Sequence, residues 1–249
     1  MTRTGVAVVT GGSRGIGAAV SRVAASRGYA VVVNYAADAE AASRVVADIE
    51  RAGGRAIAVQ ADVSQEAGVR HLFAEADGLG PLVALVNNGG ITGPITRVDE
   101  LAPEDLARVL AVNVAGPFLC AREAIRRMST RRGGTGGVIV NVSSIAARLG
   151  GAGEWVHYAA SKGAIDTFTA GLAREVAAEG IRVNAVAPGL IDTEIHAAAG
   201  APDRLERLAP SVPMGRAGTV EEVAETVMWL LSPAASYVTG AVVPVSGGR

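Results

Sequence analysis

The sequence predicts a doubly wound α/β fold with a parallel sheet, and three observations carry that prediction. Short apolar runs rich in β-branched residues alternate with longer helical patterns. The first run ends in a cluster of glycines that opens straight into a helical pattern. No Pro/Ser-rich linker or shift of composition divides the 249 residues, so a single domain over 1–249 is expected.

The apolar runs are VAVVT (6–10), AVVVN (30–34), AIAVQ (56–60), ALVNN (84–88), VIVNV (138–142), RVNAVA (182–187) and AVVPV (241–245). Their nearly unbroken hydrophobicity is what strands covered on both faces require. Helical patterns near 15–27, 38–52, 65–77, 103–131, 157–178 and 220–231 separate them. Strand, helix, strand repeated along a chain means right-handed crossovers and a mostly parallel sheet, here seven-stranded, with helices on both faces. Ligands then belong at the carboxyl ends of the strands.

Composition excludes several functions. A net charge of −1 gives no attraction to nucleic acid or an anionic membrane. Arg126, Arg127, Arg131 and Arg132 read as a solvated helix end, where cations suit the macrodipole. The single cysteine, Cys120, precludes an intrachain disulfide and fits a reducing compartment. The amino-terminal residues run into a strand without a signal-peptide pattern, so a cytoplasmic protein is expected. Residues 226–248 are uncharged, but Pro233, Gly240 and Pro244 break them well short of the ~20 apolar residues of a membrane span. His71 and His196 have no companions at ligand spacing, and no metal is expected.

The glycine turn TGGSRGIG (10–17) carries the first functional signal. Gly11, Gly15 and Gly17 allow a tight turn, close approach of backbone to an anion, and close helix–strand contact. The helix behind them offers free N–H groups and partial positive charge, suited to a pyrophosphate. The spacing is G-x-x-x-G-x-G rather than G-x-G-x-x-G.

After that turn come NNGG (87–90), NVSS (141–144), YAASK (158–162) and PG (188–189), in order and on expected strand ends. On these motifs the chain resembles the short-chain dehydrogenases/reductases over essentially its whole length. The resemblance implies a Rossmann-type domain, a nicotinamide cofactor, hydride transfer to or from a small carbonyl or alcohol substrate, and a homotetramer or homodimer. It assigns Ser13, Arg14 and Ile16 to the cofactor together with the turn glycines, and Asp62 and Val63 to the adenine. Asn88 and Gly89 fall where the ribose passes; the family usually has alanine at Gly89. Pro188, Gly189, Ile191 and Thr193 fall where the carboxamide binds. Many relatives carry aspartate where Ser246 stands.

Charge selects the dinucleotide. An acidic residue at the end of the second strand usually holds an adenosine 2′-OH. Here that strand ends in neutral Asn34 and Tyr35, and Arg14 offers a charge-assisted bond to a 2′-phosphate. NADP(H) is therefore expected over NAD(H), with an Asn34→Asp replacement expected to shift preference toward NAD. Asp38 reads as a cap of the second helix, and Ser64 as a cap of the third.

The catalytic set implied by the resemblance is Asn113, Ser144, Tyr158 and Lys162. Tyr158 and Lys162 are four apart in a helical pattern and share a face. Hydride addition to a carbonyl leaves an alkoxide that needs a proton, and Tyr158 is the expected acid/base. An ammonium about 5 Å away, at an effective dielectric of about 20, lowers a phenol by roughly two pKa units, which is the expected role of Lys162. Ser144 matches the family serine on the substrate oxygen, with Ser143 on the opposite face. Pro117 has no N–H for the carbonyl of Asn113, which leaves that carbonyl free for a relay water. The loop 145–157 is expected to line the pocket, through Glu154, Trp155 or His157. The segment 194–216, with a short helical stretch near 203–208, reads as a flap over the substrate. The leading reading is an NADP(H)-dependent ketone or 3-oxoacyl reductase. The alternatives are a sugar or alcohol dehydrogenase and a non-catalytic dinucleotide sensor.

Overall fold

A computed structural model describes residues 5–193 and 203–249. Its strands are β1 (Val6–Val9), β2 (Ala30–Tyr35), β3 (Arg55–Gln60), β4 (Leu82–Asn87), β5 (Gly137–Val142), β6 (Ile181–Pro188) and β7 (Val242–Val245). They form one sheet in the order β3-β2-β1-β4-β5-β6-β7, with every pairing parallel. Each expected strand is present. The order reverses beside β1, whose neighbours are β2 and β4, and this opens the crevice in which doubly wound sheets bind ligands.

The helices are α1 (Gly15–Ser26), α2 (Ala39–Arg51), α3 (Glu66–Asp77), α4 (Pro103–Leu110), α5 (Gly116–Met128), α6 (Ala146–Leu149), α7 (Val156–Val176), α8 (Arg204–Leu208) and α9 (Val220–Leu231). Strand residues alternate between two cores. Val31, Val33, Val86 and Val140 pack with residues of α1, α2 and α9 on one face. Val6, Val8, Val32 and Ile139 pack with residues of α3, α5 and α7 on the other. Burial on both faces is why the strands read as unbroken apolar runs.

Two expectations are corrected here. The helix expected over 103–131 is interrupted by a π-helical turn at Ala111–Ala115, where the N–H of Gly116 bonds the carbonyl of Ala111. Pro117 cannot supply the N–H that an α-helix would direct at Asn113, so the ladder slips by one residue just before it. Ser64 does not cap α3. Asp62 Oδ1 accepts its N–H at 2.9 Å and its hydroxyl at 2.7 Å, and Gln65 occupies the cap position without a side-chain bond. Asp38 does cap α2, accepting the N–H of Ala41 at 2.9 Å.

The arginines near the end of α5 do more than face solvent. Arg127 donates to both Asp77 oxygens, at 2.7 and 2.8 Å, and to Glu123 at 2.9 Å, tying α5 to α3. Cys120 is a core residue, its thiol pushed up to about 12 by burial, with Glu123 adding to the rise. Among the described residues no helix is long and apolar enough to cross a membrane. No group of His, Cys, Asp and Glu among them could hold a metal ion.

A buried polar chain fixes α7 on the sheet. Asn87 Nδ2 donates to Asn141 Oδ1 at 2.9 Å, and Asn141 Nδ2 donates to Thr169 Oγ1 on α7 at 2.9 Å. Thr169 Oγ1 in turn donates to the Ile165 carbonyl at 2.8 Å. Replacing Asn141 with alanine takes the Oδ1 acceptor from the buried Asn87 amide, while Thr169 keeps its bond to Ile165, at a cost of about 1–3 kcal/mol. Urea unfolding of Asn141→Ala should therefore show a lowered midpoint with an unchanged slope.

Candidate active site

The carboxyl ends of β1 and β4 are stitched together at the crevice. Asn88 Nδ2 donates to the carbonyls of Thr10 (2.9 Å) and Gly11 (3.0 Å), and Thr10 Oγ1 accepts the N–H groups of Asn88 (3.0 Å) and Gly89 (2.9 Å). Gly17 is obligatory in this knot. A Cβ there would lie 2.2 Å from the Gly11 carbonyl oxygen and 2.5 Å from Asn88 Nδ2. Gly11 and Gly15 have φ of +59° and +52°, which favour glycine. A methyl on Gly89 would meet Thr10 Oγ1 at 3.3 Å, so glycine leaves slack where the family usually carries alanine.

Whether these residues fit a dinucleotide can be judged from the cradle itself. The N-terminus of α1 opens behind the turn, with extended, exposed Arg14 at its cap position and no side chain capping it. Arg14 makes no ion pair with a described residue. Opposite Gly15 stands Thr193, its Cγ2 3.7 Å from where a Gly15 Cβ would sit, with its buried hydroxyl lacking a hydrogen-bond partner among the described residues. Free N–H groups, a cation and an unpaired hydroxyl around a glycine turn fit an anionic dinucleotide. Ser13 is half-buried on the turn, and Ile16 packs against the core beneath it.

Other expected cofactor positions show local structural roles. Asp62 is exposed beyond β3, and buried Val63 packs where α5 begins at Gly116. Pro188 ends β6, and Gly189 donates to the Val245 carbonyl at 2.9 Å. A Cβ on Gly189 would lie 2.8 Å from Ser246 Cα, so β7 closes tightly on this turn. Ile191 bridges to Gly218 just before Thr193.

Asn34 differs from its expected role. It is 2 % exposed, and its Oδ1 accepts the Gly11 N–H at 3.3 Å while Nδ2 donates to the carbonyls of Ala61 (3.0 Å) and Val59 (3.3 Å). Its amide braces the glycine turn against the end of β3. β2 runs one residue further than expected, and alternation turns Tyr35 to the face of α1 and the glycine turn. Asn34 is thus committed to backbone, and Asn34→Asp would lose its donations to two carbonyls.

The four expected catalytic residues come together past the end of β5. Ser144 follows that strand; its Oγ accepts the Ala146 N–H at 3.1 Å, and it lies close enough to the Tyr158 hydroxyl to lower its pKa. Tyr158 lies in the first turn of α7 and Lys162 in the next. Lys162 Nζ sits 5.6 Å from the Tyr158 ring centroid and donates to the Val142 carbonyl at 2.7 Å. A Cβ on Gly90 would lie 3.6 Å from that ammonium and 3.2 Å from Asn113 Oδ1. Asn113, on the π-helical turn, clamps its surroundings through its side chain. Oδ1 accepts the Ile91 N–H at 2.9 Å, and Nδ2 donates to the Ile91 carbonyl (2.8 Å) and to Ser161 Oγ (3.0 Å). Ser143 faces away from Tyr158, as expected, and donates to Asp166 Oδ1 at 2.5 Å.

The expected electrostatics are corrected. Burial raises the Tyr158 phenol above its ordinary value, opposed by the Ser144 hydrogen bond. Burial likewise pushes Lys162 down to about 8, with Asp166 acting in the opposite direction. Desolvation outweighs the Coulombic attraction assumed from spacing alone, because each charged form gives up water. Composition held a signal that spacing did not. Lys162 is the chain's single lysine, beside 22 arginines. An arginine could not serve here, being larger and unable to titrate.

The loop after β5 is held from the far side. Glu154 accepts from Arg204 of α8 at 2.6 Å, and the Arg204 guanidinium lies 4.6 Å above the Trp155 ring. His157 is buried, its Nε2 3.0 Å from the Thr92 carbonyl, so it braces a neighbouring loop. The short helix expected near 203–208 is α8, whereas residues 194–202 of the expected flap lie outside the described residues.

Known proteins share this arrangement. The family model described as Enoyl-(Acyl carrier protein) reductase matches residues 11–249. An uncharacterized oxidoreductase of Escherichia coli, YgfF, is 54% identical over 98% of this chain and 99% of its own. Glucose 1-dehydrogenase 2 of Bacillus subtilis is 40% identical over 97% of this chain and 93% of its own. The 3-oxoacyl-[acyl-carrier-protein] reductase of Synechocystis is 40% identical over 98% of this chain and 96% of its own. A blue fluorescent protein from a metagenomic library, solved in complex with NADPH, superposes with a TM-score of 0.89 at 37% identity, covering 98% of this chain and 97% of that one. Similarity of this depth over nearly the full length, on a seven-stranded parallel sheet, makes the chain a member of the short-chain dehydrogenase/reductase family, enzymes acting on CH–OH/C=O groups with NAD(P).

Proposed function

We propose that the protein is an NADP(H)-dependent reductase of a small ketone or 3-oxoacyl substrate. The observation that carries this reading is the Tyr158 ring 5.6 Å from the buried Lys162 ammonium, one helical turn along α7, with Ser144 beside the hydroxyl. A substrate carbonyl oxygen between Ser144 and Tyr158 is polarised by both hydroxyls. The nicotinamide, when bound, supplies the hydride. As the oxygen gains charge, Tyr158 releases its proton to it. A phenol held above its ordinary value stays protonated until that moment. Lys162 offsets the phenolate that forms, Ser144 keeps a hydrogen bond to it, and Asn113 holds the loop after β4 against α7.

The dinucleotide reading rests on charge. Arg14 is exposed beside the turn, β2 ends in Tyr35 and Ala36 without a carboxylate, and Asp38 is committed to capping α2. A structural neighbour solved with NADPH supports it. A glucose dehydrogenase among the relatives favours a second reading, oxidation of a sugar by NADP⁺.

We also propose a cytoplasmic homo-oligomer, a tetramer or dimer built on the outer faces of α4, α5 and α7. Phe118 is 50% exposed and stacks on Phe168 with centroids 3.8 Å apart. A Cβ on Gly163 or Gly171 would meet nothing within 4 Å, leaving room for a second backbone.

Three measurements test these proposals. In an assay of NADPH loss over ketones, diketones and acetoacetyl thioesters, Tyr158→Phe should lose about 10²–10⁴-fold in kcat. It should still bind NADPH, and turnover surviving in it would remove the proposed acid. Glucose oxidation dominating the panel would select the dehydrogenase reading, and binding without turnover on any compound the sensing one. In calorimetry, Arg14→Ala should weaken NADPH binding about tenfold with little effect on NADH, as loss of one charge-assisted bond implies. Tyr35→Asp should invert the preference; unchanged selectivity in both variants would refute the assignment. Light scattering should return a multiple of the 25.1 kDa chain mass, reduced in Phe118→Glu. A monomer in the unmodified protein would refute the oligomer.

A further inference from the structure

The Ser144 side of the β5 terminus belongs to the proposed chemistry; its opposite side does not, and a carboxylate is placed there. Asp166 follows Lys162 by one helical turn, as Lys162 follows Tyr158, so the three lie on one stripe of α7. Ser143 Oγ lies 2.5 Å from Asp166 Oδ1 and 3.2 Å from the Lys162 carbonyl oxygen. Its single hydroxyl proton goes to the carboxylate, which makes the shorter and charge-assisted bond. Asp166 is thereby held against the Lys162 turn without bonding the ammonium itself.

An ammonium has three donors, and Lys162 Nζ has one protein acceptor, the Val142 carbonyl. Lys162 is 5% exposed, so water does little to sustain its charge. The groups facing it are Tyr158 and Asp166 on α7, the Val142 carbonyl on β5, Asn113 on the π-helical turn and Gly90 after β4. Of these Tyr158 and Asp166 are the titratable groups, and Asp166 supplies the carboxylate, held by Ser143 next to Val142. We infer that Asp166, fixed by Ser143, is a positioning residue that keeps the Lys162 ammonium charged through the working pH range. It acts on Lys162 and touches neither substrate nor cofactor. The inference deepens the reductase reading and rests on it for its catalytic consequence.

The sign follows from the opposing influences on Lys162. Burial brings it down to about 8, and Asp166 pulls it back up. Without that charge the ammonium loses its proton at lower pH, and turnover that needs the cation fades at lower pH with it. Because Lys162 is the only lysine, ¹³C-labelled lysine gives one Cε resonance to titrate, with no substrate required.

In the folded Asp166→Asn protein that resonance should titrate about half a pH unit lower, a threefold weaker hold on the proton. Ser143→Ala should move it the same way by less, and Asp166→Glu should restore it partly. The alkaline limb of kcat for NADPH-dependent reduction should shift with the resonance, with KM little changed. An unmoved resonance in both Asp166→Asn and Ser143→Ala would overturn the inference. A moved resonance with an unmoved alkaline limb would overturn its catalytic half. Should every carbonyl in the panel fail even with the unmodified protein, the reductase reading falls, and the resonance still decides whether Asp166 sustains the charge.

Discussion

A single buried ammonium constrains the architecture around it. Charge moved out of water must be repaid locally, and Lys162 is repaid by a carbonyl at the last residue of β5. That bond needs the sheet and α7 in fixed register, which is what the Asn87–Asn141–Thr169 chain supplies one layer below. It also needs empty space over the Nζ. Gly90 borders that space; a Cβ there would press on Asn113 Oδ1 at 3.2 Å and touch the ammonium at an ordinary 3.6 Å. The π-helical turn has a related purpose, setting Asn113 where its amide can hold Ile91 and Ser161 together.

The other half of the site depends on the reversal of strand order at β1. Because β1 lies between β2 and β4, the turn after it can be braced from both sides, by Asn34 and by Asn88. Both amides spend their hydrogen bonds on backbone. The glycine turn is thus held by the protein itself, and the Arg14 and Thr193 side chains carry no part of that burden. Preorganisation of this kind lowers the entropy lost on binding.

Most of the fold was legible because it rests on patterns that local sequence records. Strands buried on both faces leave unbroken apolar runs, and turns with positive φ leave glycines. The gathering of Asn113, Ser144, Tyr158 and Lys162 was legible through the motifs that carry the family resemblance. Three features were not. The inward commitment of Asn34 was hidden, because its partners, Gly11, Val59 and Ala61, are distant in sequence. The π-helical turn was foreshadowed by Pro117, but periodicity alone could not separate a kink from a slipped ladder. The pairing of Glu154 with Arg204 joins residues 50 apart, and nothing local announces it.

The electrostatic correction has the most consequence for chemistry. Spacing suggested a phenol made more acidic by its neighbour, whereas burial makes the phenol a weaker acid and the ammonium a stronger one. The two shifts favour the same pair of states, a protonated tyrosine and a lysine close to losing its charge. In such a pair the proton on Tyr158 is secure near neutrality, and the cation on Lys162 is the charge that goes first as the pH rises. That balance suits donation to a developing alkoxide, the reductive direction proposed above. In either direction a tyrosinate must form beside an ammonium that burial makes reluctant to stay charged. Whatever sustains that ammonium therefore supports proton transfer both ways.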